Sequence, residues 1–152
     1  MLKNCTFKHW LQESFTSWIP EEEREKHESL RFGTDPDCVI AIQTDKKLYL
    51  PCLILEYKFD YEPKDWDQLV EYMIITEACY GSPVYGVLGD KKNIRFFKYT
   101  RKDEEEIGVL SASKNMNFDL YKPSYREKGI YKIIAGLVFR SYLEWQETLK
   151  SL

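Results

Sequence analysis

The sequence predicts an α/β domain: a mixed β-sheet flanked by helices. Three observations carry this expectation. Apolar residues alternate between helical and strand spacing along the chain, and strand-like runs occur in pairs separated by polar turns. No repeat, low-complexity tract or Gly/Ser linker divides the 152 residues, so residues 1–152 read as one domain. Chains of this length bury roughly 70% of the surface they expose when unfolded, and need no disulfide or metal staple.

The first element reads as an amphipathic helix after Thr6, with Phe7, Trp10, Leu11, Phe15 and Trp18 on one face and His9 and Glu13 turned away. A second helix is expected from Pro20, which suits a first helical position, followed by acids in the first turn. Its apolar side is thin, and Glu23 and His27 lie on it between Ile19 and Leu30. Two β-rich runs follow, Cys38 to Gln43 and Leu48 to Lys58, joined by Thr44-Asp45-Lys46-Lys47 as a hairpin. Asp65-Trp66-Asp67-Gln68 resembles a capping box. It would open a helix burying Trp66, Leu69, Val70, Met73, Ile74 and Ala78, and Gly81-Ser82-Pro83 ends it. Val84 to Leu88 and Asn93 to Tyr99 form a second predicted hairpin around Gly89-Asp90-Lys91-Lys92. A polar stretch without a clear pattern comes next. From about Gly129 to Leu152, residues Ile130, Ile133, Ile134, Leu137, Val138, Tyr142 and Trp145 give a helix with a wide apolar face.

Charge narrows the function classes. A net charge of −3 argues against a passive nucleic-acid binder, which carries a cationic excess, but not against an enzyme whose acidic residues recruit cations. Local basic groups remain at Lys91-Lys92, at Arg95 and Lys98, at Arg101-Lys102 and from Lys122 to Lys132. Each is more often a solvated face than a binding site. Cys5, Cys38, Cys52 and Cys79 contain no CxxC pair, and two histidines do not complete a zinc set. With no secretory segment and no long apolar run, the sequence predicts neither export nor a membrane span, and an intracellular, reducing location.

The chemistry concentrates in the first hairpin. A turn at Asp45-Lys46 places Asp37 opposite Ile54 and Asp35 opposite Glu56, with Asp37, Glu56 and Lys58 on one face because side chains alternate with period two. Pro51 lacks a ladder donor and makes a bulge or edge a provision on that register. Two carboxylates converging beside one lysine repel each other unless a counterion joins them. Magnesium suits such a pair, since it accepts one or two carboxylates, keeps several waters and binds phosphate oxygen. The competing reading of the same residues is a surface hairpin with an acidic polar face.

Pro36-Asp37, followed after eighteen residues by Glu56-Tyr57-Lys58 at the end of an apolar strand, resembles the PD-(D/E)xK nuclease superfamily. The order of elements is similar to that superfamily's restriction-endonuclease-like α-β-β-β-α-β core, over about residues 20–100, with the C-terminal helix at about 129–151. Gln68-Leu69-Val70-Glu71-Tyr72 resembles the QxxxY motif of its RecB-type branch, and Gly86 to Lys98 is similar to the strand pair in type I restriction subunits. The resemblance implies Asp37, Glu56 and Lys58 as catalytic residues. It implies metal ligation by Asp37, Glu56, the Tyr57 carbonyl and a helix residue, His27 or Glu23, and places Gln68 and Tyr72 near the substrate. Gln68 as a capping residue and Tyr72 as a packing residue are the rival readings. An iron–sulfur cluster is not expected, because no cysteine follows Cys79.

The expected function is therefore hydrolysis of phosphodiester bonds with Mg2+ or Mn2+, on DNA in preference to RNA. An RNA endonuclease of the cap-snatching kind and a non-catalytic nucleic-acid-binding or interaction module are the alternatives. The small size points to a homodimer by analogy, since cutting both strands needs two sites.

Overall fold

A computed structural model describes residues 6–11, 21–26, 36–43, 49–59, 63–81, 83–103, 107–117 and 125–150. The elements are β1 (Thr6–Leu11), α1 (Glu21–Lys26), β2 (Cys38–Gln43), β3 (Tyr49–Tyr57), α2 (Pro63–Tyr80), β4 (Val84–Gly89), β5 (Asn93–Thr100), β6 (Val109–Ala112), β7 (Met116–Asn117) and α3 (Tyr125–Lys150). The strands form one sheet in the order β1-β2-β3-β4-β5-β6, with the short β7 also paired to β5. Every pairing is antiparallel except that of β3 with β4. A parallel pair cannot be joined by a tight turn, and α2 makes the crossover. The fold is α/β, a mixed sheet flanked by helices.

The two long helices cover opposite faces. On one, Leu69, Tyr72, Met73 and Ile75 of α2 pack on Val39, Ile54, Val84, Leu88 and Phe97. On the other, Ile130, Ile133, Ile134 and Leu137 of α3 meet Leu53, Tyr85, Val87 and Phe96. Val138, Tyr142 and Trp145 continue that contact over Ile42, Leu50 and Cys52. The apolar face expected of the C-terminal helix is thus the one it buries. Leu53-Ile54-Leu55 is uninterrupted because β3 is central and covered on both sides, so neither set of alternating side chains meets water.

The structure differs from the sequence expectations in five places. Residues 6–11 form a strand instead of a helix, running antiparallel to β2 from Thr6↔Gln43 to Leu11↔Cys38. That short run also alternates, with Phe7, His9 and Leu11 at every second position. The open edge of β2 decided between the two periods, as tertiary context does for short apolar runs. Residues 12–18 of the expected helix lie outside the described residues. The first hairpin is shifted by two residues: Cys38 pairs with Leu55 and Val39 with Ile54, with a bulge between Ile40 and Ala41 opposite the Pro51 segment. Helix α2 begins at Pro63, so Asp65 lies in its first turn and is not its cap. Its buried side is rotated from the expected one: Tyr72 and Ile75 are fully covered, while Ile74 is 36% exposed. The patternless stretch carries β6 and β7, which continue the sheet beyond β5.

Other punctuation is as read. Helix α1 starts just after Pro20. Gly81 closes α2 with φ at 94°, a left-handed conformation that only glycine adopts freely, and its amide donates to the Glu77 carbonyl at 2.7 Å. No helix among the described residues is long and apolar enough to cross a membrane.

Candidate functional site

The site forms where β3 and β4 end, at the carboxyl edge of the parallel pair, the place where open α/β sheets leave a crevice. Continuing the observed register by one residue sets Asp37 directly across from Glu56. The two-residue shift is even, so the expected shared face survives and the two carboxylates are closer than the diagonal arrangement expected from sequence. Asp37 is fixed by the neighbouring strand, since the Tyr57 amide donates to its Oδ2 at 2.7 Å.

Glu56 is 2% exposed, an unusual position for a carboxylate. Its Oε2 lies 3.2 Å from Lys58 Nζ. Its Oε1 is the one buried side-chain nitrogen or oxygen among the described residues that lacks a hydrogen-bond partner. Burial pushes the Glu56 carboxyl up to about 7 and the Asp37 charge pushes the same way, while Lys58 and a backbone hydrogen bond from Asp37 oppose them. Burial and Asp37 likewise raise the neighbouring Cys38 thiol.

Lys58 connects the strand to the helix. Its Nζ donates to Gln68 Oε1 at 3.1 Å, and Gln68 Nε2 donates to the Tyr72 hydroxyl at 3.0 Å. Gln68 and Tyr72 lie one turn apart on α2, which packs on the same sheet face as Glu56. A single run of contacts therefore links Glu56, Lys58, Gln68 and Tyr72. Gln68 serves this run and not a capping box. Tyr72 is completely buried; it holds Gln68, which holds Lys58. Tyr57 sits at the end of β3 with its ring 44% exposed. His27 lies outside the described residues, and of Glu23 only the backbone, within α1, is described. Among the described residues no group of three or more His, Cys, Asp or Glu is arranged to hold a metal. Asp37 and Glu56 make a pair.

Two residues acquire a place in the site that sequence reasoning did not give them. Arg95 pairs with Leu88, and Leu88 with Glu56, so Arg95 stands on the Glu56 face two strands away, roughly 10 Å across the sheet. Its guanidinium lies 4.3 Å from the Trp66 ring centre and its Nε donates to the Ser113 carbonyl at 2.6 Å, which fixes a cation there. In the sequence it was only one member of a basic cluster. Asp90 accepts the amides of Lys92 and Asn93 on Oδ1 at 2.7 and 2.6 Å, which locks the β4–β5 turn beside the site. At the same strand ends, on the α3 side of the sheet, a pocket of about 240 Å³ is bounded by Asp37, Leu55, Tyr57, Val87 and Ile94 among others.

Compared with known proteins, the chain matches no family model, no curated protein and no solved structure.

Proposed function

We propose that the chain is a divalent-metal-dependent nuclease of the PD-(D/E)xK kind, hydrolysing phosphodiester bonds with DNA as the favoured substrate. The observation that supports this best is Glu56. A buried carboxylate with one unpartnered oxygen, facing a second carboxylate, is costly for a protein without a cation and well suited to one with it. The residues present fit Mg2+ or Mn2+: Asp37, Glu56 and the Tyr57 carbonyl would hold it, with His27 or Glu23 as the helix-borne addition. Such an ion supplies Lewis acidity toward a phosphate oxygen and toward water.

The remaining work belongs to the side chains. Lys58, steadied between Glu56 and Gln68, places a positive charge where negative charge gathers on the phosphate as water attacks phosphorus. The bond from phosphorus to the leaving sugar oxygen breaks, that oxygen takes up a proton, and the attacking water gives one up. Gln68 keeps the lysine at its post. Arg95 offers a second fixed cation on the same face for a neighbouring phosphate.

Plasmid, linear duplex, single-stranded DNA and RNA incubated with Mn2+, Mg2+ or chelator test the reading, beside Glu56→Ala and Lys58→Ala. The expected outcome is cleavage that needs metal and falls by at least about 10²-fold in each variant, the scale of lost acid–base or charge stabilisation. Cleavage equal in both variants, or binding with no cleavage under any condition, would refute it.

A further inference from the structure

The strand that carries Glu56 and Lys58 ends in two aromatic residues that the core does not use. Tyr57 is 44% exposed and Phe59 is 66% exposed, one on either side of Lys58 in the chain. The Tyr57 ring stands beside Gly89 and Ile94, on the sheet face opposite that of Lys58 and Gln68. An isolated exposed aromatic needs no explanation. Here a cation accompanies it: Lys91 Nζ lies 4.5 Å from the centre of the Phe59 ring. Lys91 and the exposed Lys92 belong to the β4–β5 turn, and Asp90 holds that turn rigid through its two amide contacts. The result is a largely exposed ring with the Lys91 ammonium over one face and Lys92 in the adjoining turn, at the end of the strand that carries Glu56 and Lys58, on a chain whose net charge is −3.

We infer that Phe59, with Lys91 and Lys92, forms a stacking platform for an unpaired nucleobase, so that the preferred substrate is single-stranded nucleic acid or a frayed duplex end. The placement of the strand rests on the nuclease reading above. A ring that exposes its face binds any base by stacking, and lysines beside it engage the adjoining phosphates without reading sequence. Inside a duplex each base face is already covered by its neighbours, so the platform adds nothing to duplex binding. Nor does it discriminate DNA from RNA, because the ring contacts the base and not the sugar.

The test is fluorescence anisotropy with a fluorescein-labelled oligonucleotide, single-stranded or annealed to its complement, as DNA and as RNA. Calcium replaces magnesium, and a gel verifies that the probe stays intact. Single strands are expected to bind more tightly than the duplex. Phe59→Ala should weaken single-strand binding about tenfold, the scale of one lost base stack, leave duplex binding within about twofold, and keep the wild-type melting temperature. Phe59→Trp should retain binding. Wild-type single-strand affinity in Phe59→Ala, or equal losses for single strand and duplex, would overturn the platform. Metal- and Lys58-dependent cleavage of single strands that ignores Phe59 would leave the nuclease standing and remove this inference. Phe59-dependent single-strand binding by a protein that cuts nothing would do the reverse.

Discussion

At the residue scale the decisive group is the Glu56 carboxyl, whose surroundings oppose its charge. Its ordinary value of 4.5 is raised to about 7, mainly by burial and then by Asp37. In metal-free protein, folded chains therefore keep a proton on Glu56 between those values while unfolded chains have released it. The folded state binds more protons in that window, so the contribution of this group is complete below about 4.5 and is lost as pH rises through about 7. A shift of this size corresponds to as much as about 3 kcal/mol. In chelator, Glu56→Gln is expected to be more stable than wild type at pH about 8 and to flatten this part of the profile, since the amide stays neutral throughout. Urea unfolding at several pH values measures both. Adding Mn2+ should then stabilise the wild type at the higher pH and leave Glu56→Gln nearly unchanged, because only a state that binds the ion gains from it. A wild type indifferent to both pH and Mn2+ would contradict the site.

At the element scale, α2 positions the lysine, and its seat on the sheet is close. A Cβ at Gly86 on β4 would lie 2.7 Å from Met73 Sδ and 3.2 Å from Leu69 Cδ1, both on α2. Gly86→Val should lift the helix from the strand and cost about 1–3 kcal/mol, as overpacking does, read as a lower urea midpoint. Tyr72→Phe removes only the hydroxyl that accepts from Gln68 Nε2. It should cost about 1 kcal/mol of stability. Under the nuclease reading it lowers kcat through a less constrained Lys58, with KM little changed, because Tyr72 is buried and acts through Gln68. A change confined to KM would place Tyr72 in binding instead.

The choice between elements was only partly legible. The unbroken apolar run Leu53-Ile54-Leu55 and the spacing in α3 were strong enough to survive folding, because the first matches a strand covered on both faces and the second the face that α3 buries. Residues 6–11 satisfied two periods, and nothing local distinguishes an amphipathic turn from a half-buried strand over so few residues. The buried stripe expected of α2 left out Tyr72, whose rival reading as a packing residue the structure bears out: its ring fills the core and its hydroxyl meets Gln68.

At the scale of the whole molecule, the sheet is stable only as the middle of a sandwich. Helix α3 covers Leu53, Tyr85, Val87 and Phe96, and Trp145 Nε1 donates to the Pro51 carbonyl at 3.0 Å, closing the helix onto the irregular part of β3. Truncation before Tyr125 would expose that entire face. Loss of cooperative unfolding is expected, measured by circular dichroism in urea, although the proposed catalytic residues all remain in the fragment. A fragment that still unfolded cooperatively would show that the α3 layer is dispensable.

By itself the sequence singled out Asp37, Glu56, Lys58 and Gln68 as candidate site residues, and predicted a mixed sheet flanked by helices to present them. Those features follow from residue type and from the two-residue period of a strand, which any even register shift preserves. Only the tertiary structure decided that Asp37 stands directly across from Glu56, that one Glu56 oxygen is buried without a partner, and that Arg95 shares their face. These depend on a bulge, on burial and on pairings between distant segments, which are properties of the packed chain and not of any local stretch of it.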